Sequence, residues 1–327
     1  MTNMMVSIRR LGMAFALALG MTAAVSAQQA TDFPRKTIQV IVPYAVGGAV
    51  DVAARLAVEH MGRTLGQQLV VLNRPGGNAN IGPAAVAAAQ PDGYTLLASS
   101  SATVLNPLIA SNIGWASESL VPIARISQST NLIVISTTLG VRDMAGFVAH
   151  ARRHPGLPTP VTGLGSSQAV ARENFIQVAG IKLLDVAYKG GTSFMTDLIA
   201  GRLAISVSPL NVVIRQVQQG QLVAIANTGE QRSPLAPDVP TVAELGYPQA
   251  QSMSWFGFHA PVGTPAAVLE RIADAVRQAV ADPEVQARIV AVGAEPAFMT
   301  GPAFIKFLQE ERLRGESFLK AIGHVRQ

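Results

Sequence analysis

The chain has 327 residues, 49% of them hydrophobic, no cysteine and a formal net charge of +5. The absence of cysteine excludes disulfides, thiolate nucleophiles and Cys-ligated metals. The basic excess is scattered rather than blocked, which argues against a nucleic-acid partner and for at most a weak attraction for anions.

Arg9 and Arg10 precede an apolar run from Leu11 to Ala24, and Val25-Ser26-Ala27 then supplies the small-residue pattern of a signal peptidase site. Residues 1–27 read as a cleaved signal peptide. The competing reading is an uncleaved anchor, but the run is short for a membrane span and the cleavage pattern follows at once. Losing Arg9 and Arg10 lowers the net charge from +5 to +3. About 300 residues remain, a length that suits two domains with a core each.

Ile38 to Val42 is a run of β-favouring residues stopped by Pro43, and the Gly47-Gly48 pair leads into an amphipathic helix with Ala53, Leu56, Ala57, Met61 and Leu65 on one face. Gly66 stands at the helix stop. Leu69 to Leu72 is a second strand, Asn73 to Gly77 a second loop, Ile81 to Ala89 a short helix and Thr95 to Ser99 a third strand. Alternating strands and helices imply right-handed crossovers and a parallel sheet, which binds ligands beyond the carboxyl ends of its strands.

A second set begins at the strand Leu132 to Ser136, followed by a helix from Met144 to Arg153 and a strand from Pro160 to Thr162. The loop Gly163-Leu164-Gly165-Ser166-Ser167 opens a helix whose apolar face carries Ala171, Phe175 and Val178 and which Gly180 ends. Leu183 to Ala187 is the next strand, and the loop Tyr188-Lys189-Gly190-Gly191-Thr192 leads into a helix with Phe194, Leu198 and Ile199. Leu222 starts another strand, and Trp255 to Phe258 one more. Helices are expected after Thr264-Pro265, after Asp282-Pro283, and from Pro302 to Ile322. No Ser/Gly linker separates the halves, so strands are expected to cross between them, two crossings making a hinge.

Pro43-Tyr44-Ala45-Val46-Gly47-Gly48-Ala49-Val50-Asp51, Asn73-Arg74-Pro75-Gly76, Pro91-Asp92-Gly93-Tyr94, Tyr188-Lys189-Gly190, Asp238-Val239-Pro240-Thr241 and Gly263-Thr264-Pro265 occur in an order that resembles the Bug family, the extracytoplasmic solute receptors of tripartite tricarboxylate transporters. The resemblance covers nearly the whole mature chain. It implies an α/β type II periplasmic-binding-protein fold: two doubly wound domains around a central cleft, residues 28–130 plus 223–327 forming one and 131–222 the other. It further implies a periplasmic receptor that closes on a small carboxylate and delivers it to small and large membrane subunits. The expectation is a monomer, not an enzyme, without cofactor or metal. Val46 departs from the usual Pro, Asn78 and Ala79 from glycines, Ala169 from a His and Ala204 from an Asp.

The expected ligand site starts at Tyr44, Ala45, Gly47 and Gly48, where a helix N-terminus and bare backbone suit an anion, although the Gly pair also reads as a plain turn. Tyr44 either hydrogen-bonds the ligand or lines the wall. Asp51 repels an anion, so it either caps its helix or meets an ammonium or hydroxyl on the ligand. Gly165, Ser166 and Ser167 form a second cradle or an ordinary N-cap. Tyr188, Lys189, Gly190 and Thr192 form the facing clamp, with Lys189 either paired to the ligand or solvated, and Asp197 faces the cleft by family analogy. Trp255 reads equally as core, hinge or ligand platform. The same pocket would also serve a signalling system. A secreted α/β hydrolase using Ser166 or Ser167 is the third reading, weakened by the absence of a G-x-S-x-G pattern. The five histidines lack metalloprotease-type spacing, and His150 and His154, four apart, read as solvated rather than metal-binding.

Overall fold

The computed structural model describes residues 33–161, 163, 165–188 and 192–324. The expected signal peptide, Lys189 and Gly190 lie outside the described residues. The elements follow in order: β1 (Ile38–Val42), α1 (Ala49–Leu65), β2 (Leu69–Asn73), α2 (Ile81–Ala87), β3 (Thr95–Ser99), α3 (Ser101–Ile109), β4 (Leu120–Ser136), α4 (Met144–Arg153), β5 (Leu157–Val161) and α5 (Ser167–Ala179). Then come β6 (Leu183–Ala187), α6 (Met195–Ile199), β7 (Ile205–Pro209), α7 (Leu210–Gln218), β8 (Leu222–Asn227), β9 (Met253–Pro261), α8 (Ala266–Ala281), α9 (Pro283–Ala291), β10 (Glu295–Thr300) and α10 (Gly301–Ala321).

The expected α/β order holds. β1 lies between β2 and β3 in parallel register, as the first strand–helix–strand units require. The sheet then continues antiparallel through β9, β4 and β10. Periodicity explains the helix faces: Ala53, Ala57 and Met61 of α1 bury against Ile38, Val40 and Leu96 of the sheet, with Ile272 and Val276 of α8 in the same core. Gly66 ends α1 at φ 68°, and Asp282 caps α9 by accepting the Glu284 and Val285 amides. Val178 is a correction, since it faces outward, 42% exposed, and Ala179 takes the buried position on that helix.

The 17-residue strand β4 belongs to both halves. Its first part, Leu120 to Thr130, ladders with β9, and its last part, Asn131 to Ser136, ladders with β7 and β8. β5 and β6 form a separate parallel pair. Residue 223, the expected point of return, falls inside β8, which is bonded to Leu132–Ser136, and Val242 and Ala250 bury in the core that contains Phe147 and Phe175. The segment between β8 and β9 therefore packs with the second half, because the Asn227 amide donates to the Pro240 carbonyl, the Val242 amide donates to the Asn227 carbonyl, and Tyr247 lies edge-on against Phe175.

Candidate functional site

A cavity of about 1030 Å³, counting the part open to solvent, lies where the two halves meet. Residues just past the carboxyl ends of β1 and β3 line it from one side, and residues of β5, β7 and the start of α5 from the other. Of the residues expected from sequence, Tyr44, Gly48, Gly165, Ser166 and Ser167 line this cavity.

The first loop is organised by Asp51, which is 1% exposed. Its carboxylate accepts the Gly47 amide at 2.9 Å, Arg55 Nε at 3.0 Å and Asn73 Nδ2 at 2.9 Å. Burial opposes its charge, but the hydrogen bonds from Arg55, Gly47 and Asn73 outweigh it and hold the carboxyl below its ordinary range. Asn73 also donates to the Tyr44 carbonyl, tying the second loop to the first. Gly47 sits at φ 80°, and the Gly48 amide closes a turn on the Ala45 carbonyl. The open amides of this loop therefore follow the Gly pair instead of belonging to it. Gly47 and Gly48 shape the loop with their own amides engaged, whereas the Ala49 and Val50 amides at the start of α1 have no partner among the described residues and lie on the cavity. Ala45 and Gly47 are exposed and, like Asp51, stand outside the lining.

The second loop meets the first half directly. Ser166 caps α5 by accepting the Ala169 amide and donates to the Gly163 carbonyl, and the Ser167 and Gln168 amides of the first turn have no partner among the described residues. Ser167 Oγ lies 2.9 Å from Ser254 Oγ, and Ser254 donates to Asn131, at the point where β4 passes between sheets. Across the cavity, Asn106 donates to the Asn78 carbonyl and to Asn80. Asn78 and Ala79 adopt φ of 52° and 64°, the left-handed backbone that the usual glycines of this loop would hold without strain.

Two members of the expected facing side are turned to each other rather than to the cavity. Tyr188 and Asp197 are bonded to each other at 2.5 Å, and Arg202 holds the second Asp197 oxygen at 2.7 Å from its Nε. The Tyr188 bond and Arg202 keep the Asp197 carboxyl low, and that same bond, with burial, pushes the Tyr188 phenol up. Neither lines the cavity, nor does the exposed Thr192. Tyr188 acts from behind, edge-on to Phe194, whose ring does reach the wall. Ala204, in place of an Asp, is buried in the second core, whereas Ala169, in place of a His, lines the cavity. Trp255 is both core and wall: it is 1% exposed, its Nε1 donates to Glu311, and it lies edge-on to Phe304 and Phe307 of α10.

Sequence reasoning missed α3 and with it Ser100, Ser101 and Ala102, which line the cavity. The signal was present as a Ser pair immediately after the strand Thr95 to Ser99, an N-cap pattern equivalent to Ser166-Ser167. Ser100 Oγ is 3.0 Å from the Tyr44 hydroxyl, whose pKa is raised by burial. Also missed was Arg172, the one charged side chain on the cavity among the described residues, which is 5% exposed and neutralised from behind by Asp185 and Glu173. No Asp, Glu or His side chain belongs to the lining, and no group of three or more potential metal ligands occurs among the described residues. The wall therefore offers amides and hydroxyls to an acceptor-rich, anionic molecule. It brings no imidazole base to Ser166 or Ser167.

The profile of the tripartite tricarboxylate transporter family receptor matches residues 53–324. Protein BugT of Bordetella pertussis is 31% identical over 307 residues, 92% of this chain and 94% of that protein. Among solved structures, the periplasmic binding protein BugD superposes with a TM-score of 0.85 at 27% identity, covering 90% of this chain and 100% of BugD. The R. palustris protein Rpa4515, solved with adipate, gives a TM-score of 0.86 at 28% identity over the same shares of the two chains. Matched over most of its length in sequence and in fold, this chain belongs to the Bug-type receptors of the tripartite tricarboxylate transporter family.

Proposed function

We infer that the protein is a periplasmic receptor that captures a small carboxylate between its two halves and presents it to the small and large membrane subunits of a tripartite transporter. One observation carries the reading. First-turn amides of α1 and α5 that have no partner among the described residues border one cavity, and no acidic side chain belongs to its described lining. Adipate, the molecule bound by Rpa4515, is of the same chemical class. Cleavage after Ala27 exports the chain. Residues 28–130 with 253–327 form one closing unit and 131–252 the other, the second crossing lying at Ser252 rather than 223 because β8 and its following segment pack with the second half. Closure is a hinge rotation about β4 and the 252 crossing, and the closed shape is what the membrane subunits read.

A thermal-shift screen of the chain from Gln28 onward tests this, with a panel of carboxylates and their amides. A rise in melting temperature with an acid that disappears with its amide supports the receptor, since a ligand bound by the folded form alone stabilises by mass action. No rise with any acid, together with turnover of carboxylic esters, would replace it with the hydrolase.

A further inference from the structure

A smaller cavity of about 200 Å³ shares Ala49 and Phe256 with the ligand cavity and is enclosed by α1, α9 and the start of α7. Its lining side chains are apolar except for two, Ser127 of β4 and Asn211 of α7. The Ser127 hydroxyl and the Asn211 side-chain carbonyl are both buried, and neither has a hydrogen-bond partner among the described residues. The hydroxyl can donate and the carbonyl can only accept, so the two groups complement each other. Ser127 belongs to the first half and Asn211 to the second. Both stand beside the place where β4 passes between the sheets, because Asn131 of β4 is paired with Pro209, the residue at which β7 gives way to α7. The Asn211 backbone also packs on Gly293 of the first half, where a Cβ would come within 3.1 Å of its Cα, and Ser129 of β4 donates to the Gly293 carbonyl. So close to the crossing, a rotation of the halves moves Asn211 against Ser127 by a short distance, the range over which a hydrogen bond is made or broken.

We propose that Ser127 and Asn211 form a hinge latch, a hydrogen bond that is made when the halves swing open and is broken in the arrangement described here. The halves meet across the ligand cavity in this arrangement, since Gly165 of the second half has no room for a Cβ beside Asn106 of the first. Two buried polar groups left unpaired in both states would destabilise the protein throughout, so their bond is assigned to the open state. The latch goes beyond carboxylate capture and rests only on rotation of the halves. It holds the empty receptor open, and closure on a ligand has to break it.

Small-angle scattering of the chain from Gln28 onward, without ligand, tests this on the wild type, Ser127→Ala, Asn211→Leu and the double variant. Both substitutions place an apolar side chain in an apolar wall, so folding is expected to survive. Each single variant is expected to lower the radius of gyration and the double variant to go no further, because the same bond is lost in every case. Calorimetry with adipate is expected to show affinity raised about 5-fold in each single variant and by the same factor in the double, the effect of removing one hydrogen bond from the open form. Unchanged radii overturn the latch and leave the two groups as places for a bridging water. Raised radii or weakened adipate binding overturn it too, since the pair would then belong to the closed form, and effects that add in the double variant show that the two groups do not act on one another. If no carboxylate binds, the receptor reading falls, and the scattering comparison still decides the latch.

Discussion

Asp51 Oδ2 accepts the Gly47 amide at 2.9 Å, so this carboxylate, which stands outside the cavity lining, is engaged by the loop that precedes its own helix. Asp51→Asn keeps the shape but loses the charge and presents an NH₂ to donors. The expected cost is about 2 kcal/mol of unfolding free energy at neutral pH, measured by urea denaturation, together with weakened carboxylate binding. Because the folded-state pKa is lowered, the contribution is full above the ordinary Asp value of about 4 and fades as pH falls through the folded value. The wild-type and Asn curves should therefore converge in acid. Parallel curves would show that the charge plays no part.

The commitment of Asp51 also bears on ligand choice. With no acidic side chain among the described residues of the wall and Arg172 already paired, an ammonium group entering the cavity meets no countercharge from them. Aspartate is expected to bind at least about 10-fold more weakly than succinate, and glutamate likewise against glutarate, a difference of about 1.4 kcal/mol or more. Equal affinities in calorimetry would contradict the inventory of the wall.

His259 stays neutral at mildly acidic pH, where a surface histidine is charged. Buried on β9 with Ser99 as partner, it has its pKa pushed down to about 3 by burial. The unfolded chain takes up a proton below about 6.5 while the native chain does not, so stability should fall by about 1.4 kcal/mol per pH unit from this group as pH drops from 6.5 towards 3. His259→Gln should flatten that slope in urea titrations at pH 4 to 7. An unchanged slope would place the proton uptake elsewhere.

Ala79 pays for a left-handed backbone that glycine adopts freely. Ala79→Gly is expected to raise the urea midpoint, with a gain of about 0.5–1 kcal/mol after allowing for the more flexible unfolded chain. A loss of stability would mean that packing of the Ala79 methyl outweighs the backbone strain.

Gly165 is needed for space rather than for conformation. A Cβ there would fall inside Asn106 Oδ1 on the opposite half, a clash that separation of the halves relieves without unfolding either. Gly165→Ala should keep a near-normal melting temperature, lose at least about 10-fold in carboxylate affinity and show a larger radius of gyration by small-angle scattering with ligand present. Normal affinity would show that the halves need not approach this closely.

The succession of strands and helices was legible because each carries its own period and its own stop, as in Ile38 to Val42 with Pro43 or α1 with Gly66. α3 was not, since its apolar residues run without a polar face and Pro107 lies inside it. β7 and α7 abut without a turn at Pro209-Leu210, which hides the boundary between two periods. At the site, the Gly pair marked the loop before α1, but which amides remain open depends on Asp51 folding back over four residues. At the second loop the pattern of strand, Tyr, Gly pair and helix repeats the first but says nothing of where Tyr188 and Asp197 turn. Arg202, beyond the short α6, draws Asp197 to Tyr188 and turns both from the cleft. Pairings of that kind depend on side-chain reach in three dimensions and have no local period.

The passage of β4 through both sheets bears on how the molecule comes apart as well as on how it closes. Neither half completes its sheet without part of that strand, and β9, α8, α9 and β10, which finish the first half, are made only after the second half has intervened in the chain. Losing β4 from one sheet removes the anchor of the other, so heat or denaturant should dissolve the two halves in a single cooperative transition despite their separate cores. A hinge made from a shared strand thereby permits the halves to rotate while denying them independent melting.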